Sequence, residues 1–215
     1  MKRFDFSKNE IKDLIITFIV LSVAFSILGS EEFNQIPYTL QITMIGVGLG
    51  FLLREIAIKM TATHFNYWAE FKTTPIGLFI ALITSFGGFV YSVTGSVYVY
   101  GDATDKQNGL ICMSGIASNI LLAIIFFGFY LLIKMYGIEI QGLYSGLLLD
   151  ICKTGLFING SIAFFNSLPF TNIDGSTMDG SAVFKWNPII WFVLVSFSLY
   201  IFWLGATTLL MTKSF

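Results

Sequence analysis

Charge is scarce in this sequence, and so are the residues that most often carry chemistry. Of its 215 residues only 12% are charged, one is histidine and two are cysteine, while 55% are hydrophobic and 23 are phenylalanine. Soluble domains average about 25% charged residues. The shortage therefore excludes an ordinary water-soluble globule and points to an integral membrane protein. A net charge of -1 offers no basic surface, so nucleic acid and anionic surfaces are not expected as partners. Cys112 and Cys152 lie far apart inside apolar segments and read as small core residues rather than a disulfide. No small-residue cleavage site follows the first apolar run, which reads as a retained helix and not a signal peptide.

What the chain has in plenty is long apolar runs. Five are long enough to cross a bilayer, about residues 12–29, 37–60, 109–135, 146–168 and 187–211, given that a crossing takes about 20 residues. A sixth run, 76–93, holds Gly77, Gly87 and Gly88 and leads into the alternating S-V-Y-V-Y-G. It reads as a short membrane-embedded or re-entrant helix followed by strand-like backbone over about 76–100, with a sixth full span as the alternative. The fold class expected is an all-α polytopic membrane protein of five to six transmembrane helices, forming a single domain over residues 1–215. Its partner is the lipid bilayer. With the N-terminus cytoplasmic, Lys8, Lys12, Arg54, Lys59, Lys72, Lys106 and Lys185 all fall on the inner side, and the first outer loop has no Lys or Arg. That bias is what the positive-inside rule expects of a multi-pass protein of the cell membrane.

Against this apolar background the stretch G-F-L-L-R-E-I-A-I-K-M, residues 50–60, stands out. Positions i and i+4 share a helix face, so Arg54 and Ile58 point the same way with Glu55 beside them. H-E-x-x-H has the same layout, with two His binding zinc and the Glu acting as general base. Gly46 and Gly50 sit mid-span, where close helix packing explains them better than phosphate binding. Downstream, F-N-S-L-P-F-T-N-I-D-G-S-T-M-D-G runs from residue 165 to 180, and S-G-I-A-S-N spans 114–119.

In order and spacing these three segments resemble the site-2 protease family of intramembrane zinc metalloproteases, over roughly residues 40–190, and most closely its compact archaeal members. The resemblance places Glu55 at the general-base position and Arg54 and Ile58 at those of the zinc-binding His. The third ligand position falls on Asp174 by spacing from Asn166, or on Asp179 by the downstream register. Asn166, Pro169 and Asn119 match positions that hold a substrate in its groove. The pattern is broken at its centre, because a guanidinium has no lone pair to offer and Ile no donor atom.

The resemblance with this departure implies no bound cofactor, or zinc only if the family activity is retained. It implies a non-proteolytic protein that binds membrane segments of other proteins or serves as a subunit of a membrane assembly. The alternatives are an intramembrane zinc metalloprotease with altered ligand positions and, from another class, a transporter or channel. Arg54 is expected within salt-bridge reach of Glu55, Asp174 or Asp179; the competing expectation has it snorkelling to the cytoplasmic interface. His64, the only histidine, reads as an interfacial residue near Tyr67 and Trp68 rather than a substitute ligand. Cys152, Asn159 and Asn166 recur every seven residues and share one helix face, suited to bonding between helices. Asp150 and Lys153 are placed to neutralise one another.

Overall fold

A computed structural model describes residues 5–136, 143–170 and 178–210. Among these residues five helical stretches are long and apolar enough to cross a membrane: Lys8–Gly29, Phe33–His64, Asp105–Met135, Gly146–Ser167 and Pro188–Leu209. The protein is an all-α polytopic membrane protein carrying one small two-stranded sheet.

Helix α1 (Lys8–Gly29) starts at a capping box in which Ser7 Oγ accepts from Glu10 N–H at 3.0 Å and Glu10 accepts from Ser7 N–H at 3.3 Å. The second crossing is one continuous path through α2 (Ile36–Val47), a π-helical turn (Gly48–Leu52) and α3 (Leu53–His64). It ends where Asn66 adopts φ +64° and Tyr67 N–H reaches back to Ala62 C=O at 2.9 Å, so the last carbonyls stay satisfied. Strand β1 (Trp68–Thr73), helix α4 (Pro75–Phe86) and strand β2 (Gly95–Tyr100) follow. The strands pair antiparallel, Trp68 opposite Tyr100 and Thr73 opposite Gly95. Helix α4 has 12 residues, about 18 Å at 1.5 Å per residue. That falls well short of the ~30 Å hydrocarbon layer, so 76–93 holds a short apolar helix, followed by an irregular segment, that is not long enough to cross by itself.

Helices α5 (Asp105–Tyr136), α6 (Leu143–Ser167), α7 (Asp179–Trp186) and α8 (Pro188–Leu210) complete the order. They pack mainly on one another, while α1, α4 and the sheet gather on the other side of the α2–α3 path. That path joins the two groups, α2 lying on α6 and α3 on α5. Its glycines allow the approach: a Cβ on Gly46 would meet Ile158 Cδ1 at 2.9 Å, and one on Gly50 would meet Asn159 Oδ1 at 2.7 Å. This is the close packing expected of Gly46 and Gly50.

The outer edge of β1 has no third strand. Helix α1 covers it, with Glu10 accepting Phe71 N–H and Asp13 accepting Thr73 N–H, each at 3.1 Å. Two carboxylates spaced along one helix thus satisfy alternate N–H groups of the strand. Both cysteines are free.

Candidate functional site

The site is built around Arg54, which is only 4% exposed, so it does not snorkel to an interface. Its guanidinium is ion-paired with Glu55 and with Asp179, and donates to Asn166 Oδ1 at 3.0 Å. The expected pairing with an acid is present, and the Asp that supplies it is Asp179; Asp174 lies outside the described residues. Local sequence explains how four separate segments converge here. In the π-helical turn just before α3, Gly50 C=O accepts both from Leu53 N–H and from Asn119 Nδ2, the latter at 3.0 Å. Asn119 also donates to Asn159 Oδ1 at 3.0 Å, and Asn159 donates to Gly155 C=O at 2.8 Å. This network fixes α3 against α5 and α6 one turn above Arg54.

Gly115 makes room for the face that carries Arg54 and Ile58. A Cβ there would lie 2.6 Å from Ile58 Cδ1 and 3.2 Å from Arg54 Cγ. Asn166 is held by its own donation to Ile162 C=O at 2.8 Å, which presents its Oδ1 to the guanidinium. Helix α6 stops at Ser167, and Pro169, half-buried two residues on, cannot continue it. The chain returns to the site at Met178, whose N–H donates to Phe170 C=O at 3.1 Å; Ser181 Oγ donates to the same carbonyl at 2.9 Å. Gly180 then lets the first turn of α7 press against the Ser167 and Leu168 carbonyls, where any side chain would clash. That approach delivers Asp179 to Arg54.

Two nearby residues escaped sequence reasoning. Cys112 is half-buried beside the cluster, its thiol 4.0 Å from Asn108 Oδ1 and close to Asp179. Its helical register with Gly115 and Asn119 was the available signal. Ser92 is buried against Arg54 and Glu55 from the irregular segment after α4, and nothing in the local sequence marks it. Other expectations fall elsewhere. His64 is exposed at the end of α3. Lys153 Nζ lies 3.5 Å from Asp150, which also accepts from Tyr38 Oη at 3.0 Å. Cys152, Asn159 and Asn166 are all buried, and both asparagines bond across helices as their shared face suggested.

Relatives bear on how this cluster is to be understood. No family model and no solved structure matches the chain. It is 34% identical over 210 residues to the "Putative zinc metalloprotease" of Methanocaldococcus jannaschii, covering 94% of this chain and 100% of that protein. The chain belongs to that zinc metalloprotease family. In a zinc metalloprotease the natural test of the cluster is whether its donors suit Zn²⁺. They do not. Among the described residues the carboxylates of the cluster are Glu55 and Asp179, both already bonded to a fixed cation, and Arg54 and Ile58 have no lone pair to give. Among the described residues no three His, Cys, Asp or Glu side chains are grouped so as to hold a metal ion.

Proposed function

We propose that this family member is a site-2-protease-like protein of the compact archaeal type whose zinc motif has become an internal ion cluster. It binds membrane segments of other proteins, or serves as a subunit of a membrane assembly, without cutting peptide bonds. The observation that carries the reading is the Arg54 guanidinium bonded at once to Glu55 and Asp179. It puts a permanent cation among the acids that would otherwise face a metal. In this reading Glu55 stands at the general-base position and Arg54, Ile58 and Asp179 (or Asp174) at the metal-site positions. Asn166, Pro169 and Asn119 belong to the substrate groove. Asn166 is partly diverted from that duty, since its Oδ1 accepts from Arg54. The protein acts as one domain in the cell membrane with its N-terminus cytoplasmic, a placement supported by the Lys and Arg bias of its loops.

A second reading, an active intramembrane zinc metalloprotease, is favoured by the name of the Methanocaldococcus relative. A labelled transmembrane peptide reconstituted with the wild-type protein separates the two. The proposal expects capture of the peptide with no cleavage products, and cleavage overturns it. In the double variant Arg54→His/Ile58→His, zinc uptake is expected because two imidazoles on one face of α3 then meet Asp179 from α7, with Glu55 beside them.

A further inference from the structure

Among the described residues, four buried side-chain atoms lack a hydrogen-bond partner: Arg54 Nε, Glu55 Oε2, Ser92 Oγ and Asn119 Oδ1. The first three belong to residues that wall one small cavity, which Thr94 and Asn166 also line. Its volume is about 10 Å³. Leaving one buried polar group unmatched costs about 1–3 kcal/mol. Three such groups around a single void mark a place built for a partner. We propose that this cavity is a binding site for one water molecule, which bridges Arg54, Glu55 and Ser92.

Size and hydrogen-bond pattern together select the ligand. A cavity of roughly 10–15 Å³ with two to four polar partners holds one water, so this void admits nothing larger. Arg54 Nε–H can only donate, the Glu55 carboxylate oxygen can only accept, and the Ser92 hydroxyl can do either. A water oxygen accepts from Nε–H, one water hydrogen goes to Oε2, and the remaining position meets the hydroxyl. A metal ion would be set against the guanidinium, and an anion against the free carboxylate oxygen. The bridge also accounts for Ser92, which the ion cluster itself does not use, by tying the segment between α4 and β2 to α3.

This inference rests on the reading that Arg54 stands in the metal's place, and it sharpens what that substitution does. The acid at the general-base position keeps a water beside it. A guanidinium orients that water by donating a hydrogen bond, whereas lowering its pKa to about 7 takes a metal bound to its oxygen. The water is held and not activated.

The test is a map of the wild-type protein at a resolution that shows ordered water, with the same map for Ser92→Ala and Ser92→Val. The expected result is one peak within about 3.2 Å of both Glu55 Oε2 and Ser92 Oγ. It should persist in Ser92→Ala and vanish in Ser92→Val, whose methyls fill the void. Infrared difference spectra after exchange into oxygen-18 water provide a check on the wild type alone, with an isotope-shifted internal O–H band expected. A wild-type interior that shows other waters but none here overturns the proposal, as does a peak that survives Ser92→Val. An anomalous zinc signal at the site would instead overturn the functional reading, so the two failures are distinguishable.

Discussion

Helix α3 carries two buried cations, and they are treated differently. Lys59, 2% exposed, meets a single acid, Glu10, and lies 4.2 Å from the centre of the Phe6 ring and 4.9 Å from that of Trp68. Both Glu10 oxygens are engaged, one by Phe71 N–H and the other by Lys59 and Ser7 N–H. Charges match one to one and every polar atom has a partner, as expected of a clasp that fixes α1 to the sheet. Arg54 faces two acids, and its Nε and the second oxygen of Glu55 have no partner among the described residues. Folding alone would favour the first arrangement. The unbalanced second cluster, set among glycines and asparagines that bring four segments together, is the arrangement on which the proposed conversion of a functional site rests.

Mutations can break this comparison or sharpen it. The largest effect is expected for Arg54→Leu, which strands two buried carboxylates and should destabilise the protein by about 3–5 kcal/mol in denaturant titrations in micelles. Adding Glu55→Gln and Asp179→Asn should recover most of that loss, because no bare charge remains. Lys59→Met strands one carboxylate and should cost about 3 kcal/mol, and Lys59→Met/Glu10→Gln should restore most of it. If the single Lys59 change proved harmless, the clasp would not be a clasp. Gly50→Ala sets a methyl 2.7 Å from the Oδ1 of Asn159, whose amide is held by one hydrogen bond to Oδ1 and one from Nδ2. A loss of about 1–3 kcal/mol is expected, against almost none for Gly128→Ala, where a Cβ meets nothing. The smallest effect belongs to Lys185→Ala. That residue pairs with Asp105 at 2.8 Å, but both side chains are exposed, so below about 1 kcal/mol is expected, shrinking further with added salt.

How much of this was legible in the sequence follows from the range of each interaction. The five crossings and the strand at Gly95–Tyr100 were visible because apolar runs and alternation are local. Strand β1 was not, since W-A-E-F-K-T carries no distinctive signal until α1 covers its edge. Helix α7 has eight residues and begins on the second of two Asp-Gly pairs, which signal turns, so nothing in the sequence marked it as a helix. The Arg54–acid pairing could be anticipated because a buried guanidinium requires an anion. Which acid would serve could not, because spacing and downstream register disagreed until Gly180 was seen to bring Asp179 against α6. Lys59 read simply as an inner-side charge. Only the tertiary structure, by placing Glu10 beside it, shows that it is buried.

Metal analysis of the purified wild-type protein tests the central claim most directly. If Arg54 has replaced the cation of a zinc site, the protein should carry far less than one zinc per chain even after exposure to zinc and dialysis. Close to one tightly bound zinc per chain would contradict the account.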